Sequence, residues 1–145
     1  MKWVALITWV LTAGGGFVML GLWLKHGGMQ QSDTPGDRIR SNRILSHFAL
    51  AASGLVLWII YVASDSDALA WIAFVLLAIV ALLGFSMLAI WLRQRSREPA
   101  VATGPAETAG TPAEQRFPVP IVAGHGVLAA TTLVLVLLVA LGVGD

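Results

Sequence analysis

The sequence predicts an all-α integral membrane protein: a four-helix bundle threaded up and down as a single transmembrane domain. Three observations carry that reading. Of 145 residues, 57% are hydrophobic and only 12% are charged, too few charges to keep a domain of this size in water. Four runs, 3–24, 44–63, 68–92 and 119–143, can each cross about 30 Å of hydrocarbon as a helix. None has Asp, Glu, Lys or Arg in its interior, and the mean hydropathy of the whole chain is +0.81. The runs are apolar on every face, whereas a membrane barrel strand would alternate.

The first run follows Lys2 and contains Ala13-Gly14-Gly15, which resembles the cleavage site of a signal peptide. "FVMLGLWL" continues the apolar stretch past that point, so the run is expected to be retained as a span. "SDSD" leaves room only for a tight turn between spans two and three, with Ser66 or Asp67 suited to cap the third helix. Pro118 and Pro120 suit the entry of the fourth, where a missing N–H costs little. The first loop is expected to be partly ordered. The third, 97–116, is rich in Pro, Ala, Gly, Thr and Glu and is expected to be a disordered tether.

Basic residues set the orientation. Lys25, Arg38, Arg40 and Arg43 flank the first loop, and Arg93, Arg95, Arg97 and Arg116 the third, against Lys2 alone at the termini. Loops one and three are therefore expected in the cytoplasm, with both termini outside. The Arg-, Ala-, Gly- and Val-rich composition suits a GC-rich bacterial genome and hence a bacterial inner membrane. The net charge of +1, confined to membrane-flanking loops, makes no case for nucleic acid. Without cysteine there are no disulfides or thiolate sites. Without charge in any span, an ion-coupled transporter lacks its coupling groups. No metalloprotease helix, phosphate-binding loop or nucleophile elbow is visible, which argues against a hydrolase.

Two of the three histidines remain. His47 and His125 each lie about one turn inside spans two and four. Up-and-down threading makes those spans run the same way, so both imidazoles fall about 6–8 Å inside the cytoplasmic end. Spans two and four are diagonal in a cyclic bundle, so the two rings can converge on its axis. Such a pair suits the two axial positions of an iron porphyrin. Ala51 and Gly54 continue the face of His47, and Ala129, Thr132 and Val136 that of His125. Gly16 and Gly84 lie at a similar depth on spans one and three, where a ring edge can approach. Trp58 and Tyr61 are bulky enough to fill the outer half. Arg43, Arg116, Lys25 and Arg93 are close enough to the interface to pair with propionates. Zinc is disfavoured because two histidines fall short of a tetrahedral site.

This arrangement resembles the membrane b-type cytochromes, including the cytochrome b of quinol-oxidising complexes. These ligate haem through histidines on the second and fourth helices of a four-helix bundle. In that family each of the two helices carries two histidines, fourteen residues apart. Here the positions fourteen beyond His47 and His125 are Tyr61 and Val139. The resemblance therefore implies one haem b and not two, and electron transfer with a quinone or a redox protein. "LAWIAFVLLAIVALLGF" and "FPVPIVAGHG" also look like segments of small bacterial four-helix membrane proteins, a likeness that brings no activity.

The competing reading is a non-catalytic scaffold or accessory subunit that binds lipid or other helices, as a homo-oligomer or in a larger membrane complex. Small residues such as "TAGGGF" would then pack helices, and the histidines would be polar interface groups. His26, in "LKHGG", is expected to be a solvated loop residue. Trp3, Trp23, Trp71 and Trp91 are expected in interfacial aromatic belts, with Trp9 and Trp58 in packing.

Overall fold

Each apolar run becomes one helix, because an unbroken series of Leu, Ala, Val and Ile satisfies its backbone internally without competing side-chain polarity. The computed structural model describes residues 1–31, 38–97 and 111–143. Helix α1 spans Lys2–Lys25 and stops at His26, whose imidazole Nδ1–H donates to the Leu22 carbonyl at 2.7 Å. His26 is thus a helix-terminating group and half-buried, not the solvated residue expected. Gly27 follows with φ of 76°, a left-handed conformation that suits glycine at a helix end. A single turn, α2, covers Gly28–Gln31 beneath the ring of Trp23.

Helix α3 runs Ser41–Ser64 and ends at Asp65 in the left-handed region. After that tight turn α4 runs Asp67–Arg97, 31 residues or about 46 Å, extending beyond its apolar run. A 3-10 turn, Ala113–Arg116, precedes α5, Val119–Ala140. Pro118 caps α5 and Pro120 lies in its first turn, as their missing N–H groups favour. No strand occurs among the described residues. All four long helices are apolar and long enough to cross a membrane.

Helix α1 packs along α5, and α3 along α4; α4 also meets α5, and α1 meets α3 more sparsely. The ring order α1–α5–α4–α3 therefore sets α3 diagonal to α5. The core is concentrated in the half of the bundle remote from the arginines. Ala5, Trp9, Trp58, Tyr61, Ala70, Ala73, Leu77, Val136 and Val139 fill it. Trp58 is fully buried, stacks 4.7 Å from Tyr61 and 6.2 Å from Trp9, and donates its Nε1–H to the Lys2 carbonyl. An ion pair between Lys2 and Asp65 closes this end. Replacing Trp58 by Ala is expected to cost roughly 3–5 kcal/mol, the usual penalty for a large aromatic cavity. A lower melting temperature in detergent measures it.

The arginine-bearing, basic end is sealed differently. Glu114 is 2% exposed; its Oε1 accepts from the Ile39 N–H at 2.9 Å and from Gln94 Nε2 at 2.8 Å, and its carbonyl accepts from Trp91 Nε1 at 3.0 Å. Gln31 Oε1 accepts from the Ala113 N–H and from Arg38. The end of the third loop, expected to be disordered throughout 97–116, is thus ordered over its last residues, because buried polar groups demand partners. The rest of that expectation, 98–110, lies outside the described residues. Trp23 and Trp91, expected in interfacial belts, are instead buried in this seal at 1% and 5% exposure. Trp3 and Trp71 do face outward. Glu114→Ala would strand two donors, each worth about 1–3 kcal/mol when unsatisfied. It is expected to raise proteolysis of the third loop while leaving the helical content of the bundle intact.

Candidate functional site

His47 and His125 each lie six residues into their helices, counted from Ser41 and Val119, or about 9 Å from the basic end. Diagonal packing brings them together: the imidazole centroids are 6.4 Å apart, with 55° between the ring planes. Each ring is held by the helix its own helix packs against. His47 Nδ1–H donates to the Val80 carbonyl on α4 at 3.1 Å, and His125 Nδ1–H donates to the Thr12 carbonyl on α1 at 2.9 Å. Four residues beyond each acceptor stands a glycine. A Cβ on Gly84 would come within 3.3 Å of His47 Cε1, and one on Gly16 within 3.3 Å of His125 Cε1. The two half-sites are equivalent, one on the α3/α4 pair and one on the α1/α5 pair.

Because a carbonyl only accepts, each Nδ1 carries the proton and each Nε2 holds a lone pair. Each Nε2 is thus an acceptor without a hydrogen-bond partner among the described residues. Neither Nε2 is sealed in, since Gln115 Oε1 is the one enclosed side-chain polar atom without a partner there. If both Nε2 atoms were to hold one metal at about 2.0–2.1 Å from opposite sides, the ring centroids would stand roughly 6.3 Å apart. The observed spacing fits such a metal.

Packing at this level is loose. No residue is buried over 13–22 of α1, 41–53 of α3, 81–90 of α4 or 119–131 of α5, whereas buried side chains close both ends. The loose zone is about 15 Å tall along the helix axes, more than a bare ion requires. No group of three or more His, Cys, Asp or Glu that could hold a metal occurs among the described residues. Two protein nitrogens suit a metal that brings its remaining ligands with it, as haem iron does.

Ala51 and Ala129 are partly buried one turn beyond the histidines, on the faces that the sequence assigns them. Gly54 takes a different role: it receives the ring of Trp9, with a Cβ position 3.1 Å from Cζ2, and so belongs to the floor of the loose zone. Below it Thr12 and Thr132 face one another, hydroxyls 3.4 Å apart and each bonded to its own helix. Arg43 is half-buried one turn toward the basic end on the His47 face, while Lys25, Arg93 and Arg116 are exposed.

No family model, curated protein or solved structure matches this chain. The carbonyls of Thr12 and Val80 are site groups that side-chain patterns could not reveal. Their only trace in the sequence is a glycine four residues on, a signal too short to read.

Proposed function

We propose that this protein is a small b-type cytochrome of a bacterial inner membrane, holding one haem b between His47 and His125. The observation that carries the reading is the 6.4 Å spacing of two imidazoles whose Nδ1 protons are both turned outward. Bound there, the group supplies reversible one-electron chemistry at iron. The chain supplies two neutral nitrogen ligands of fixed tautomer and a low-polarity surround, levers by which a protein tunes such a centre. Gly16 and Gly84 give the rings room, and Arg43, with Arg116 beside the interface, offers charge for propionates. The electron partner is a quinone or a redox protein.

The test is the absorption spectrum of the full chain purified after expression with haem supplied. A Soret band and a sharp reduced α-band at one haem per chain are expected. Protein that is colourless under those conditions contradicts the proposal and leaves a helix-binding accessory subunit as the better description.

In this reading the end with the basic loops faces the cytoplasm and both termini lie outside, as the positive-inside rule favours. Alkaline phosphatase fused after the C-terminus is therefore expected to be active and a green fluorescent fusion dark. The same enzyme inserted at residue 105 is expected to be inactive.

A further inference from the structure

Both ends of the loose zone are closed, and its sides are not equal. At the basic end Trp23, Trp91 and Glu114 form a buried seal, and at the other end Trp9, Trp58 and the Thr12–Thr132 pair form a floor. Of the four seams between neighbouring helices, α1 with α3 is the most sparsely packed. Those two helices are nonetheless tied at their remote ends by the Lys2–Asp65 ion pair and by Trp58 donating to Lys2. At the histidine level the seam is spanned by an edge-to-face pair, Phe17 on α1 and Phe48 on α3, with centroids 5.4 Å apart. Phe17 adjoins Gly16, which abuts His125, and Phe48 adjoins His47. Both phenyl rings are themselves exposed, at 59% and 37%.

We infer that the α1–α3 seam is a side window through which haem reaches the histidines from the hydrocarbon phase, with Phe17 and Phe48 as its shutter. This rests on the haem reading above. A planar, largely apolar molecule cannot pass the buried polar seal without breaking its hydrogen bonds. Parting two aromatic side chains sacrifices only their edge contact, worth about 0.5–1.5 kcal/mol. Each half-site is complete within one tightly packed helix pair, α1/α5 or α3/α4, so parting the pairs at this seam leaves both imidazoles held. The window has to close once the haem is in, because the same seam would otherwise admit lipid.

The absence of native cysteine makes the test clean. The full-length Phe17→Cys/Phe48→Cys variant, prepared without haem in detergent, is joined by a short bis-maleimide and then mixed with hemin. Growth of the Soret band is expected to slow about tenfold or more relative to the unjoined variant. Joining after loading is expected to slow transfer of haem to a scavenging acceptor protein by a similar factor. Phe17→Ala/Phe48→Ala, which needs no linker, is expected to lose haem several-fold faster than the unaltered chain. Uptake by the joined protein at the unjoined rate, or unchanged loss from the double alanine variant, overturns the window. No Soret band even in the unjoined protein overturns the haem reading itself, and the window with it.

Discussion

Replacing His47 or His125 by Ala is expected to abolish the six-coordinate spectrum and to weaken haem retention more than about 100-fold. Loss of an outer-shell partner of a metal ligand typically costs 10–100-fold, and here the proposed ligand itself is removed. The fold should survive. Neither ring belongs to the buried core around Trp58 and Val136, and the carbonyls of Val80 and Thr12 sit within helices that bond them anyway. Unchanged helical circular dichroism with a lost α-band is therefore the expected pair of results. His47→Gly should recover a low-spin spectrum when free imidazole is added, because the vacated space is the size of that ring. Equal haem content in both alanine variants and the unaltered chain would remove the histidines from the site.

Valine at Gly84 or Gly16 is expected to have the next largest effect. A Cβ at either position already falls 3.3 Å from an imidazole Cε1, and the two added methyl groups of valine reach farther. The ring must turn, breaking its Nδ1–H bond to Val80 or Thr12, or the helices must part. Overpacking of this kind costs about 1–3 kcal/mol, and an unanchored ligand lowers affinity about 10–100-fold. Alanine should act in the same direction but mildly, with a displaced midpoint potential as its readout. Valine at Gly14 or Gly21, where a Cβ meets nothing within 4 Å, should leave both spectrum and potential unchanged. If all four valine variants bind haem alike, the glycines serve only helix packing.

The plan of the bundle was legible because helices able to cross a membrane announce themselves by length and by freedom from charge, and a two-residue turn such as Asp65–Ser66 permits only an antiparallel pair. Matched depth of His47 and His125 was legible too, since it follows from rise per residue and threading alone. Three features were not. The sealing role of Glu114 depends on Ile39, Gln94 and Trp91, which come together only when two loops fold over the helix ends. Burial of Trp23 and Trp91 could not be separated from a belt position, because depth along a helix says nothing about which way a ring turns. Gly54 continues the His47 face in sequence, yet Trp9 reaches it from α1, and that contact is set by helix crossing. Side-chain patterns report one helix at a time; groups contributed between helices, such as the Thr12 and Val80 carbonyls, leave almost no mark.

The most direct measurement is electron paramagnetic resonance of the oxidised, purified chain. Two neutral imidazoles on one iron predict a low-spin ferric signal that accounts for one haem per chain and disappears in either alanine variant. A high-spin signal in the unaltered protein, or a low-spin signal that survives His47→Ala and His125→Ala, would contradict the account.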